Sequence, residues 1–180
     1  MRILRENCTG LVIDIQEKLW PVMAGKDILV SNCKKLVEGL QLLNVPLVVT
    51  QQYSKGLGAT IEEISCHFSN FSYLEKSSFS CLDEPTYAAY LQHSGKKNVL
   101  ICGIESHVCV LQTAIDLQEQ GYVPIVVADC VESRNPEEKK IALQRLALEG
   151  IRVSTAESLL FELTRSSQAS EFRAISKIVK

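Results

Sequence analysis

Histidine is scarce in this chain, and paired metal or disulfide frameworks are absent from its pattern. The three histidines, His67, His93 and His107, are scattered, and the seven cysteines contain no C-x-x-C pair. An odd number of cysteines, several of them in apolar segments where they act as small hydrophobes, argues against a disulfide scaffold and for a reducing compartment. The net charge of −2 at pH 7 supplies no basic field for nucleic acid or an anionic membrane surface. No apolar run approaches the ~18 to 20 residues that span a bilayer, and the opening stretch Met1 to Asn7 lacks a signal-peptide core. These gaps together predict a soluble, cytoplasmic protein whose partner is a small molecule rather than nucleic acid or membrane. With 46% apolar and 22% charged residues, 180 residues are enough for one domain with a substantial core, taken as 1–180.

What is present is an alternation of short β-branched runs with helical stripes, the pattern of repeated βαβ units. Thr9 to Asp14 reads as the first strand. Leu29, Cys33, Leu36, Val37, Leu40 and Leu43 then form a helical stripe that stops near Asn44, because Pro46 disfavours helix at Val45. Pro46 to Thr50 is the second strand. Residues 51–70 carry only a weak pattern, and Phe71 to Glu75 reads as a short third strand. Pro85 opens a helix that closes at Gly95. Asn98 to Cys102 is the fourth strand, breaking at Gly103, and a helix with Cys109 in its first turn runs on to Gly121.

Val123 to Ala128 is the fifth strand, and Asn135 with Pro136 starts a helix ending at Gly150. Ile151 to Val153 is the sixth strand, followed by a capping box on Ser154 and Glu157 and a helix to about Thr164. A terminal helix at about 171–180 carries Phe172, Ile175 and Ile178, a stripe that fits an interface and a packed terminus equally well. The expected architecture is a three-layer α/β/α, Rossmann-like, doubly wound parallel sheet of six strands in the order 3-2-1-4-5-6. Strands one and four are then neighbours at the switch point where such sheets bind ligands. That topology alone brings Asp14 and Cys109 together, a carboxylate base beside a thiol at a helix start, where unpaired N–H groups favour a thiolate.

Three segments, Leu11–Gln16, Glu75–Ser80 and Gly103–Val110, resemble motifs of a known family, the isochorismatase-like cysteine hydrolases, which include nicotinamidases. Leu11-Val12-Ile13-Asp14-Ile15-Gln16 resembles its hydrophobic-Asp-x-Gln opening, and Glu75-Lys76-Ser77-Ser78-Phe79-Ser80 its Lys-x-x-Phe-Ser segment. Gly103-Ile104-Glu105-Ser106-His107-Val108-Cys109-Val110 resembles its glycine-to-Cys-Val motif. The resemblance implies a hydrolase with Asp14 as general base, Lys76 as charge stabiliser and Cys109 as nucleophile. It also implies a cis peptide at Ile104–Glu105 and an oxyanion hole from the backbone N–H groups of Glu105 and Cys109, the reaction being acyl transfer to water through a thioester. Homo-oligomerisation is a further implication. Nicotinamidases carry Asp-x-His after strand two, whereas this chain has Thr50-Gln51-Gln52-Tyr53, so no metal is expected and no cofactor is implied. Isochorismate-cleaving members lack the motif cysteine, which argues against that substrate.

Gln16, Leu19, Tyr53 and Phe79, with Trp20 nearby, are candidates for the walls of a small substrate pocket. Each of these residues also has a plainer role. Cys109 can be an apolar filler, as Cys102 and Cys130 are expected to be, Asp14 a strand-end cap and Lys76 a solvated loop lysine. His107, two positions from Cys109, points away from it along a helix and suits an N-cap or the surface. Two other function classes stay open beside the hydrolase: a non-catalytic family member acting as an oligomeric binding or scaffold protein, and a redox-responsive thiol protein.

Overall fold

The computed structural model describes residues 2–180. Six parallel strands form one sheet in the order β3-β2-β1-β4-β5-β6, as the alternation of strand and helix patterns predicts. The strands are β1 (Cys8–Ile13), β2 (Leu47–Gln52), β3 (Leu74–Lys76), β4 (Asn98–Ile104), β5 (Val123–Glu132) and β6 (Arg152–Ser154). The helices are α1 (Lys26–Leu42), the one-turn pieces α2 (Ser54–Leu57) and α3 (Glu62–Ser65), α4 (Pro85–Ser94), α5 (Leu111–Glu119), α6 (Pro136–Leu148), α7 (Ala156–Thr164) and α8 (Phe172–Ile178).

Side chains alternate across a strand, and this period of two sorts the core into two layers. Val12, Val49, Leu100 and Cys102 pack with the buried stripe of α1 and with Leu159, Leu160 and Ile175 of α7 and α8. Leu11, Ile13, Val48, Val99 and Ile101 pack on the other side with Tyr87 and Leu91 of α4, Ala114 and Leu117 of α5 and Leu146 of α6. Cys102 and Cys130 lie in the α1 layer as almost fully buried hydrophobes. The terminal helix is a packed one: Ile175 is fully buried, and the Phe172 ring sits 6.1 Å from that of Phe161.

Several boundaries differ from the sequence expectation for physical reasons. Gly103 does not break β4, which continues to Ile104. It faces Ile13 of β1 at φ +121°, and a side chain there would run into the Ile13 backbone, so glycine permits close approach of the two central strands. The N-cap of α7 is Thr155 rather than Ser154, its hydroxyl accepting from Ser158 N at 3.4 Å, because β6 extends through Ser154. The third strand lies at Leu74–Lys76, displaced toward the C-terminus, and β5 runs on to Glu132. Residues 106–110 form a π turn ahead of α5, so Cys109 sits on a widened turn rather than a regular helical one.

Candidate active site

Strand register assembles the site. Ile13 pairs with Thr50 on one side and Gly103 on the other, and Gln52 pairs with Lys76. Thr50, Gln52 and Lys76 therefore share the face that also carries Ile13 and the Cys109 turn. Asp14, immediately beyond β1, has φ +51°, a left-handed conformation that aspartate tolerates better than most residues.

The carboxylate of Asp14 is fully buried and held at both oxygens. Thr50 Oγ1 donates to Oδ1 at 2.8 Å, and Oδ2 forms an ion pair with Lys76 Nζ at 2.7 Å. The ammonium also lies 2.9 Å from Ser78 O, 3.3 Å from Phe79 O, 3.3 Å from Gln52 Oε1 and 3.7 Å from Cys109 Sγ. The structure thus brings Asp14, Lys76 and Cys109 into one cluster around a single buried cation. Lys76 is no solvated loop lysine: its side chain is 1% exposed.

The electrostatics of the three groups are coupled. Burial pushes the Asp14 carboxyl above the ordinary aspartate value, although the Lys76 charge and the hydrogen bonds oppose it. Burial is the largest single effect on Lys76 and favours its neutral form, but the charges of Asp14 and Cys109 and the bond to Asp14 together outweigh it and raise the lysine. Cys109, 5% exposed, is pushed up to about 12, first by burial and then by the Asp14 charge, with Lys76 opposing. This differs from the expectation that a helix start would favour the thiolate. Desolvation and a neighbouring carboxylate outweigh the partial charges of a short helical turn. As an isolated acid Cys109 is a thiol at neutral pH, and a thiolate forms readily only if its proton stays within the cluster.

The remaining predicted residues separate into site and support. The Ile104–Glu105 peptide is cis, and the Glu105 carboxylate accepts from Arg134 Nε at 3.0 Å. Gln16 is fully buried, and its amide is taken up by backbone groups. Its Nε2 donates to Gln52 O (3.0 Å) and Gly58 O (2.8 Å), and its Oε1 accepts from Gln52 N (2.8 Å), clamping the end of β2. Leu19 and Trp20 pack against the α1 layer, on the opposite face from Cys109. Tyr53 and Phe79 are exposed, each one residue from a group bonded to Lys76. His107 Nδ1 lies 3.0 Å from Ser133 Oγ, tying the π turn to the end of β5. His67 sits 2.8 Å from the Glu38 carboxylate, remote from this cluster in the fold.

Three residues that matter were not singled out from sequence. Thr50 orients Asp14. Gln52 Oε1 accepts from Cys109 Sγ at 3.4 Å as well as from Lys76. Glu84 Oε1 accepts from Ser77 N (2.8 Å) and Ser78 N (2.9 Å), bonds that hold its carboxyl below the usual value and fix the loop whose carbonyls face Lys76. The available signal was the i, i+2 spacing of Thr50 and Gln52 at a strand end beside Asp14, which places both on one face.

Comparison with known proteins identifies the family and the fold. Residues 9–158 match the isochorismatase domain family. The chain is 34% identical to isochorismatase domain-containing protein 2 of Danio rerio over 178 residues, covering 99% of this chain and 89% of that protein. It is 35% identical to isochorismatase domain-containing protein 1 of the same fish, matching 93% of this chain but only 59% of that longer protein. The solved structure of the MAR1 ribonuclease of Caenorhabditis elegans superimposes with a TM-score of 0.94 at 30% identity, covering 99% of this chain and 92% of that one. The chain belongs to the isochorismatase domain family.

Proposed function

We propose that this isochorismatase-family hydrolase is a cysteine hydrolase that cleaves a small amide or related carbonyl compound through a thioester on Cys109. The observation that carries the proposal is one ammonium, Lys76 Nζ, lying 2.7 Å from a buried carboxylate and 3.7 Å from a thiol. A cation so placed stabilises the thiolate and leaves the carboxylate available as proton acceptor. Cys109 is 5% exposed, which favours a small substrate over a large one.

The steps follow from those positions. Asp14 takes the Cys109 proton, and the sulfur attacks the carbonyl carbon. The backbone N–H groups of Glu105 and Cys109 are the proposed donors to the developing oxyanion, each such donor typically worth about 2.7 to 4 kcal/mol. Collapse of the tetrahedral intermediate breaks the carbon–nitrogen bond, and Asp14 returns the proton to the leaving amine. A water, deprotonated by Asp14, then attacks the thioester; the acid leaves and the thiolate regains its proton. Residues 1–180 form one catalytic domain in this proposal. Seven free thiols support a reducing, cytoplasmic setting. A homo-oligomer is the proposed assembly, supported by the exposed apolar Ile141 and Leu148 on α6.

The test is turnover of a panel of small amides followed by ammonia or amine release, with intact-protein mass spectrometry of acid-quenched samples. A hydroxylamine-sensitive acyl adduct on Cys109, and loss of turnover in Cys109→Ala, are the expected results. Turnover that survives Cys109→Ala overturns the proposal, as does RNA cleavage that survives it. A Cys109 that reacts with no amide and no electrophile faster than the other thiols points instead to the binding or scaffold class.

A further inference from the structure

The Gln52 side chain is fixed more firmly than catalysis by the three charged and thiol groups requires. Its backbone N–H and C=O are both bonded to the Gln16 amide, and its residue is paired in register with Lys76. Its oxygen assignment follows from chemistry: an ammonium can only donate, so the atom 3.3 Å from Lys76 Nζ is Oε1. That same oxygen accepts from Cys109 Sγ at 3.4 Å. The amide nitrogen is bonded to the same carbon as that oxygen, and among the described residues its two N–H groups meet no acceptor. Half-buried donors beside a reactive atom, on an immobilised strand end, form a preorganised place for an acceptor supplied from outside.

We infer that Gln52 is a specificity-determining residue of the site, and that its Nε2 binds an oxygen on the atom next to the carbon attacked by Cys109. The inference rests on the cysteine-hydrolase proposal and narrows its substrate class. The preferred substrates are amides whose neighbouring carbon carries a carbonyl or hydroxyl oxygen, that is, 2-oxo or 2-hydroxy amides, over simple alkyl amides. Sequence position alone reads Gln52 as the loss of a metal ligand; in the structure it is a donor in its own right.

The experiment uses two electrophiles that place different groups beside the attacked carbon. Iodoacetamide carries an acceptor oxygen on the neighbouring atom, and allyl iodide carries none. The ratio of their rate constants at Cys109 cancels changes in thiol reactivity common to both. In Gln52→Leu the ratio is expected to fall about three- to tenfold, the worth of one hydrogen bond. Gln52→Glu retains the oxygen that faces Lys76 while removing the donors, so it lowers the ratio in the same way and serves if Gln52→Leu does not fold. A ratio unchanged in the folded variants overturns the role of Gln52 even when Cys109 is the fastest-reacting thiol. A wild-type Cys109 that reacts no faster than the exposed Cys66 overturns the hydrolase proposal itself, and this inference with it.

Discussion

Replacing Asp14 with asparagine should change the pH dependence of Cys109 more than its identity as the reactive thiol. Treated as an isolated acid with a pKa of about 12, Cys109 would be ionised in about one molecule in 100,000 at pH 7. An ordinary thiol near 8.5 is about 3% ionised there, about 3.5 orders of magnitude more. The greater basicity of the buried thiolate recovers about 1.5 orders through its nucleophilicity, leaving Cys109 about a hundredfold slower than an exposed thiol. Transfer of the proton to Asp14 opposes that deficit by removing the carboxylate charge that helps to raise the thiol, and it makes the reactive fraction independent of pH, because thiol plus carboxylate and thiolate plus carboxylic acid contain the same number of protons. The reactive form is then a constant fraction of the protein between the raised pKa of Asp14 and that of the thiol.

The assay is competitive alkylation with limiting iodoacetamide, read site by site by peptide mass spectrometry, with exposed Cys66 as internal reference and buried Cys81 as the silent control. In the wild type, Cys109 is expected to react faster than Cys66 at pH 7 and to vary less than about threefold up to about pH 9. On acidification the rate should fall as Asp14 takes its proton, at a pH above the ordinary aspartate range because burial raises it. In Asp14→Asn the thiol has no internal acceptor and must lose its proton to solvent, so its rate should climb about tenfold per pH unit, or about a hundredfold over the same interval. A wild-type rate that itself climbs tenfold per unit, or a flat profile in Asp14→Asn, would refute internal proton transfer.

Other expectations concern what holds the cluster in place. Asp14→Asn and Lys76→Met each leave a buried charge unpaired and should cost about 3 to 5 kcal/mol in urea denaturation, whereas the double variant should cost well under the sum; additive losses would show that the pair is not coupled. Glu84 has a carboxyl held below its ordinary value by two backbone N–H groups, so its contribution is present above that value and is lost as the pH falls through the lowered one. Glu84→Gln should therefore lower the melting temperature at pH 7 and lose its effect on acidification, and an effect that grows in acid contradicts the assignment. Thr155→Ala should cost about 1 kcal/mol and Ser154→Ala close to nothing, since the cap bond belongs to Thr155; the opposite order would restore Ser154 as the cap.

The sheet was legible because each β-branched run is bracketed by helix signals, and Asp14 beside Cys109 follows from strand order alone. Lys76 was not legible from spacing, because it stands on a three-residue strand whose partner, Gln52, is set by tertiary pairing. The reactivity of Cys109 was misjudged in the direction of its pKa for a related reason: a helix start is visible in a sequence, whereas burial of the sulfur beside a carboxylate is not. Adjacent capping candidates such as Ser154 and Thr155 differ only in where the preceding strand ends, which local propensity does not decide.

The two polar residues at the end of β1 explain why one short segment organises so much of the site. Asp14 and Gln16 are two positions apart, but the turn at φ +51° separates their tasks. Asp14 engages the side chains of Thr50 and Lys76, and Gln16 engages the backbone of Gln52 and Gly58. The first supplies the proton acceptor. The second fixes the strand end from which Gln52 reaches both the cation and the thiol. Loss of Gln16 would leave three buried backbone groups without partners and free Gln52 to move, so Gln16→Ala should reduce stability by about 2 kcal/mol or more and lower the iodoacetamide-to-allyl iodide ratio at Cys109. Urea denaturation and the two-electrophile assay measure these separately. A stability loss with an unchanged ratio would make Gln16 a structural strut only, whereas movement of both links the strand clamp to substrate choice.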